Sequence, residues 1–448
     1  MNSQQEYVLQ LVSQENVEAI RLWFTDVLGV LKSVSINTTD LESAFEEGIG
    51  FDGSAIEGLT REFEADMVLV PDASTFNILP QILESSSDSC VGRMFCDVYT
   101  PHGVISRTDP RAVLERTLQK AKELGFDFYV HPEVEFYLFY PPTESNRVLK
   151  PIDNLGYFDN VTRSKGKDFR LAVTRTLEQL DIPVEFSHHE AGPGQNEIDL
   201  RAADALTVAD NIMTLKVVIE ELALSQGVIA TFMPKPICGI PGSGMHTHMS
   251  LFEGDKNAFH DSSNQYGLSK IARHFIAGIL HHSPDFTALT NQNVNSYKRL
   301  WGGGEAPSYI CWAHNNPSAL VRVPVHKPKK ANSTRIEYRA LDPSVNPYLA
   351  FAILLAAGID GIEKKMSLPD EMQEDVSLMT EHERMALGIK SLPQSLHSAI
   401  KNMYSSELVA KTLGEEVFDF FMRNKHAEWN EYRKQITNWE LEKFISFK

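Results

Sequence analysis

Four short stretches of this chain carry acidic, imidazole or guanidinium side chains at a two-residue spacing, which places them on one face of a β-strand. The first is His131-Pro132-Glu133-Val134-Glu135-Phe136-Tyr137-Leu138-Phe139. Its aromatic and β-branched content reads as a strand, with Val134, Phe136 and Leu138 on one face and Glu133 and Glu135 on the other. A lone Glu-x-Glu is ordinarily a wet strand face, but the pattern recurs. Glu185 to Arg201 contains Ala191-Gly192-Pro193-Gly194, a turn signal, so an antiparallel hairpin is expected that brings Glu190 and Glu197 together. Glu197 and Asp199 then share a face. A glycine loop at 239–244 runs into a strand carrying His246 and His248 on one face, and Arg335-Ile336-Glu337-Tyr338-Arg339 repeats the alternation.

Directed into one cavity, the five carboxylates Glu133, Glu135, Glu190, Glu197 and Glu337 with one imidazole make an oxygen-rich donor set. Such a set suits Mg²⁺ or Mn²⁺ rather than structural Zn²⁺. Several carboxylates need more than one dication, and nearby arginines (Arg299, Arg322) have the planar fork for phosphate or carboxylate oxygens. These are the components of phosphoryl transfer. No G-x-x-x-x-G-K-[ST] or Rossmann glycine fingerprint is present, so ATP must be held by another architecture.

The elements that would position these residues divide the chain in two. Residues 16–36 alternate around Asp26-Val27-Leu28-Gly29 and read as a hairpin. Gly48 to Gly58 holds four glycines and reads as a loop presenting Asp52 and Ser54, which an Asx-turn would also explain. Thr100-Pro101-His102-Gly103 marks a boundary, and Asp109-Pro110 opens a helix that Gly125 closes. Helices are expected over Asp204–Gln226, Gln265–His281 and Asn346–Lys364. A small β-rich domain at 1–103 thus precedes a large α+β domain at 104–448.

The 448 residues exceed one ordinary core. Sixty acidic against 42 basic residues give a formal charge of -18, which argues against nucleic acid and anionic membranes as partners. Four cysteines without a C-x-x-C pair read as free thiols in a reducing cytoplasm. The N-terminus lacks the pattern of a signal peptide, and the apolar run Leu349–Ile359 is too short to span a bilayer.

Seven stretches in order resemble the type I glutamine synthetases of the bacterial, non-adenylylated subtype. They are Phe51-Asp52-Gly53-Ser54, Pro132 to Phe136, His188-His189-Glu190 with Gln195-Asn196-Glu197, Gly242 to His246, Asn295 to Leu300, Glu305-Ala306-Pro307 and Arg335 to Arg339. The resemblance implies an α+β architecture: a small N-terminal β-grasp domain and a large C-terminal catalytic domain with an antiparallel, open-barrel active-site sheet flanked by helices. It implies a homo-dodecamer of two hexameric rings with active sites between subunits, where the Asp52 loop completes a neighbour's site. By the same resemblance, Glu135, Glu190 and Glu197 hold one metal, and Glu133, His246 and Glu337 hold another against the phosphates of ATP. Glu185, His248, Ser250, Arg322 and Arg335 surround the nucleotide. Gly242, Arg299 and Arg339 hold glutamate or the phosphoryl group. Ammonium sits near Asp52, Glu190 and Tyr157, with Asp52 taking its proton. Glu305 closes the site on a glycine-rich flap, and Arg61 resembles an arginine linked to feedback inhibition by glutamine. A nitrogen-regulatory protein is a further candidate partner.

Two positions depart from that pattern. Pro241 stands where the family usually has Asn, and Pro317 where it usually has Arg; proline donates no hydrogen bond. Lys364 to Pro369 lacks the tyrosine of the adenylylated subtype. The expected activity is ATP-dependent ligation of ammonia to glutamate through γ-glutamyl phosphate. The alternatives are a γ-glutamyl-amine ligase of the same fold, using a polyamine or ethanolamine, and a non-catalytic nitrogen sensor.

Overall fold

The computed structural model describes residues 1–54, 56, 66–83, 90–142, 149–161, 164–302, 306–325 and 330–446. After helix α1 (Ser3–Gln14), strands β1 (Ala19–Thr25) and β2 (Leu31–Asn37) form the expected hairpin. Its turn is closed by the Asp26 carboxylate, which accepts from Leu28 N–H and Val30 N–H at 3.0 and 2.9 Å. Helix α2 (Leu41–Glu47) ends at Gly48, whose φ of 75° is the left-handed turn that glycine adopts without strain. Strands β3 (Ile49–Asp52), β4 (Asp66–Pro71), β5 (Asn77–Ile78) and β6 (Val91–Tyr99) complete a six-stranded sheet in the order β2-β1-β6-β4-β3, with β5 on β6. The glycine-rich segment expected as a loop from Gly48 therefore begins as an edge strand. Ile49 to Asp52 pair with Leu69 to Asp66, and turn geometry starts only at Gly53.

Helix α3 (Pro110–Glu123) starts as its sequence requires. Proline stands at its first position, the Asp109 carboxylate caps Arg111 N–H, and Gly125 follows with a φ of 88°. The long strand β7 (Asp127–Tyr140) comes next, then β8 (Lys150–Pro151), helix α4 (Lys165–Gln179), β9 (Val184–His189), β10 (Gln195–Leu200) and β11 (Ala203–Asp204). Helix α5 (Ala205–Ser225), β12 (Ile229–Thr231), β13 (Met245–Glu253) and β14 (Lys256–Asn257) lead to helices α6 (Lys270–Thr290) and α7 (Val294–Trp301). Strands β15 (Trp312–Ala313), β16 (Val321–Arg322) and β17 (Ile336–Tyr338) precede helix α8 (Pro347–Glu363). The main sheet has eleven strands ordered β15-β16-β17-β13-β7-β10-β9, with β8, β11 and β12 on β7 and β14 on β13. All its pairings are antiparallel except β15 with β16.

Helix α6 corrects one expectation. It begins five residues after Gln265 and runs on past His281. Tyr266 has a φ of 58°, which breaks the helical path, and Ser269 caps the true start through Ala272 N–H. The helix continues through Pro284, whose missing N–H would orphan the Leu280 carbonyl. The Ser283 hydroxyl donates to that carbonyl at 3.0 Å instead.

Val134, Phe136 and Leu138 on the apolar face of β7 are fully buried against the helices. Each such side chain contributes about 1.5–3 kcal/mol. That leaves the opposite face of the same sheet to the charged side chains. The small sheet is fixed to the large one by shared core residues, Trp23 and Phe95 among them, and by Arg111. The Arg111 guanidinium reaches Asp97, Asp72 and Asp210 at 2.6, 2.7 and 3.2 Å. Among the described residues no helix is long and apolar enough to cross a membrane.

Candidate active site

Register places the site. Across the sheet, His246 of β13 lies opposite Glu133 of β7, which lies opposite Asp199 of β10. Two residues along, Glu135 faces Glu197, and Glu197 faces His188 of β9. On the other side Arg322 faces Glu337, which faces His248, which faces His131. Like charges opposite one another destabilise a sheet unless something neutralises them, so these rows state what the site must accommodate.

The β13–β17 side supplies its own counter-charges. Glu133 accepts from His248 Nε2 at 2.7 Å and lies 3.2 Å from His246 Nδ1. Arg335 Nε donates to His248 Nδ1 at 3.2 Å, which leaves the Nε2 proton for Glu133. Glu337 is fully buried between Arg322, 2.8 Å away, and Arg339. Burial alone would raise both carboxyls. The hydrogen bonds from His246 and His248 instead hold Glu133 well below the usual carboxylate range, and His248, Arg339 and His246 hold Glu337 below it.

Among the described residues the β10–β9 side has weaker counter-charges, and burial wins there. Burial, then the charge of Glu135, pushes Glu190 up to about 7. Glu135 itself is pushed to about 7 by burial, against the pull of Arg299. Glu197 is raised well above its ordinary value by burial and then by Glu135, and Asp199 to about 10 by burial and Glu197. The nearest base is His188, with Nε2 at 3.0 Å from Glu197 and Nδ1 at 3.5 Å from Glu190.

Among the described residues, two groups of side chains bring ligand atoms within 4.8 Å of one another: Glu133, His248 and Glu337, and His188, Glu190 and Glu197. A divalent cation fits this donor set. It is carboxylate-rich with imidazole, and the crowded acids of the second group retain protons that a cation would displace. The memberships differ by one residue each from those the resemblance implies, which places His246 in the first and Glu135 in the second. His246 stands between the groups, with Nδ1 3.7 Å from Glu337 and Nε2 4.0 Å from Glu135, so both histidines of β13 adjoin the first group.

Beside the first group opens a cavity of ≈ 430 Å³. Glu185, His248, Ser250 and Arg335, all expected around ATP, line it, and so does His131, stacked on His248 at 5.2 Å. Neither His131 nor His188 is among the residues expected at the site, although each stands two positions before an acid.

The remaining candidates fall as follows. Arg299 of α7 is buried with its terminal nitrogens engaged by the carbonyls of Arg339, Ala340 and Leu341, so it braces the segment after β17. Arg339 Nε donates to the Pro317 carbonyl at 3.0 Å; the proline that cannot donate a hydrogen bond accepts one here. The Gly242 carbonyl accepts from Gln195 Nε2 at 3.1 Å. Exposed Tyr157 sets its ring edge against His188 at 5.6 Å. Asp52 ends β3, exposed, with Ser54 N–H on its Oδ1 at 2.8 Å, and its described contacts stay within the small sheet. It is therefore not brought together with the other site residues in this chain. Arg61 and Glu305 lie outside the described residues.

A small mixed domain ahead of a curled antiparallel sheet, whose paired acid clusters adjoin a cavity bordered by Arg335, is the build of an ATP-using carboxylate ligase. The family model "Glutamine synthetase, catalytic domain" matches residues 107–444, and "Glutamine synthetase, beta-Grasp domain" matches residues 16–101. The chain is 54% identical to a glutamine synthetase of Mycobacterium tuberculosis, with 100% of each covered. It is 45% identical to one of Thermus thermophilus, with 98% of each covered. Among solved structures, GmaS in complex with ADP superposes with a TM-score of 0.87 at 28% identity, over 98% of this chain and 99% of that one. The Plasmodium falciparum glutamine synthetase gives the same TM-score at 23% identity, over 99% of each, which shows the common fold. The chain belongs to the glutamine synthetase family, as an enzyme with a β-grasp N-terminal domain and a large catalytic domain.

Proposed function

We propose that this chain ligates ammonia to the γ-carboxylate of L-glutamate in two steps driven by ATP. The observation that carries the proposal is the convergence, on one sheet face, of two acid–histidine clusters beside a nucleotide-sized cavity. In the first step a γ-carboxylate oxygen of glutamate attacks the γ-phosphorus of ATP, ADP leaves, and γ-glutamyl phosphate forms. In the second, ammonia attacks the acyl carbon and the C–O bond to phosphate breaks, giving glutamine and inorganic phosphate.

In this reading Glu185, His248, Ser250, Arg322 and Arg335 hold the nucleotide, and Gly242, with Arg339 presented by Pro317 and Glu337, holds glutamate and the transferring phosphoryl group. Glu135, Glu190, Glu197, Glu133, His246 and Glu337 would hold Mg²⁺ or Mn²⁺, joined by His188 and His248. Bound there, such ions neutralise phosphate charge and orient the transferring group. Glu190 and Tyr157 border the ammonium pocket; Asp52 of a neighbouring subunit takes its proton, and Glu305 excludes water that would hydrolyse the acyl phosphate. Asp52 lies away from this chain's own acid clusters, which supports an assembly, a dodecamer of two rings, in which subunits share sites. The same reading assigns residues 1–103 and 104–448 as the two domains, places the enzyme in the cytoplasm, and retains regulation at Arg61 and by a nitrogen-regulatory protein.

The test is phosphate release from Mg-ATP and glutamate with ammonium, putrescine or ethanolamine. Turnover with ammonium alone is expected. Turnover only with the amines would move the chain to γ-glutamyl-amine ligation, and no turnover with any of them would favour the sensor reading.

A further inference from the structure

The two oxygens of Glu135 have different surroundings. Oε2 accepts from Gly244 N–H at 2.9 Å and from Gln195 Nε2 at 3.0 Å. Oε1 faces His246 Nε2 at 4.0 Å, toward the acid clusters. Gln195 is 1% exposed, and three of its amide's hydrogen-bonding positions are engaged by fixed partners, with the Tyr137 hydroxyl beside the fourth. Nε2 donates to Glu135 and to the Gly242 carbonyl, while Oε1 accepts from Gly192 N–H at 2.9 Å and meets the Tyr137 hydroxyl at 3.1 Å. A backbone N–H only donates and a carbonyl only accepts, so the amide has one orientation. Tyr137 in turn donates to the Pro241 carbonyl at 2.5 Å. A Cβ on Gly192 would fall 2.1 Å from the Tyr137 hydroxyl and 2.7 Å from Gln195 Oε1, so the turn can approach only as glycine.

One buried amide therefore joins β7, the 191–194 turn and the 239–244 loop. We infer that Gln195 is a positioning residue. It fixes Glu135 with Oε1 directed at the cation-binding face, and with Tyr137 it sets the position of the Pro241–Gly242 backbone over the glutamate subsite. This rests on the ligase reading. An amide that merely filled the core would affect stability without touching metal affinity or the glutamate KM.

The experiment uses the full-length enzyme as assembled, wild type beside Gln195→Met and Tyr137→Phe. Mn²⁺ affinity is read from the electron paramagnetic resonance signal of free Mn²⁺, and KM is measured separately for glutamate and ATP. Gln195→Met is expected to weaken Mn²⁺ binding about tenfold or more, as loss of a group orienting a metal ligand does. It should also raise the glutamate KM about fivefold, the worth of one hydrogen bond, with the ATP KM unchanged. Tyr137→Phe is expected to raise the glutamate KM alone. A folded Gln195→Met enzyme with wild-type Mn²⁺ affinity and wild-type glutamate KM overturns the inference, whatever its Tm. A change in only one of the two keeps that half and overturns the other. If Gln195→Met does not fold, an unchanged glutamate KM in Tyr137→Phe overturns it. Wild-type enzyme without glutamate turnover would sink the ligase reading, and the Mn²⁺ titration would still decide whether Gln195 orients Glu135.

Discussion

The two halves of the catalytic sheet use the same acid in opposite electrostatic settings. Glu133 and Glu337, toward β13 and β17, are surrounded by His246, His248, Arg322 and Arg339 and stay ionised despite burial. Glu135, Glu190, Glu197 and Asp199, toward β10 and β9, crowd one another and hold protons well above the usual range. The first half is neutralised from within the chain. The second lacks that neutralisation and keeps its protons instead. Buried acids therefore do not have one role in this sheet: some are ionised anchors held by histidines and arginines, and the others are kept protonated by burial and by one another.

The sharpest break of that comparison is Glu197→Gln. Turnover in the phosphate-release assay should fall about 10³-fold, the scale of losing a charge-stabilising group. The metal-free protein should melt higher, by about 1 kcal/mol of stability, because a buried acid that folding forces to hold a proton is replaced by a neutral amide. A lower metal-free Tm would contradict the division into halves. Glu337→Gln should do the reverse on stability, costing about 3 kcal/mol in urea unfolding, because it strands the buried Arg339 guanidinium without its carboxylate.

Adding Mg²⁺ or Mn²⁺ at a hundred times Kd should stabilise the wild type by about 2.7 kcal/mol, seen as a Tm rise that Glu197→Gln loses in large part. The last effect is pH dependence. Glu135 and Glu190 titrate near 4.5 when unfolded and about 7 when folded. Between those values these two groups bind more protons in the folded metal-free protein than in the unfolded one, so the stability they contribute is fully present below pH 4.5 and is lost as pH rises through 7. A fall of roughly 2 kcal/mol per carboxyl from pH 5 to pH 7 is expected, and saturating Mg²⁺ should flatten it. An identical slope with and without the cation would show that these two carboxyls do not face it.

Much of this was legible in the chain itself. Alternation sorted Val134, Phe136 and Leu138 from Glu133 and Glu135, because a strand turns successive side chains to opposite faces. The starts of α3, α5 and α8 followed from Asp109-Pro110, Asp204 and Asn346, whose side chains cap the first turn. The end of α6 was not legible, because the Ser283 hydroxyl satisfies the carbonyl that Pro284 would orphan. Nor was the true start of β3, whose glycines suit an edge strand as readily as a loop.

The sequence by itself determined which faces are charged, where helices begin and which chemistry the donor types allow, since these depend on residues a few positions apart. Only the tertiary structure decided that Glu197 stands opposite Glu135 and Arg322 opposite Glu337, because register joins segments far apart in the chain. With register came the difference between acids that keep their protons and acids that lose them, and the single orientation of the Gln195 amide. Those properties arise from burial and from neighbours brought by folding, which no local pattern specifies.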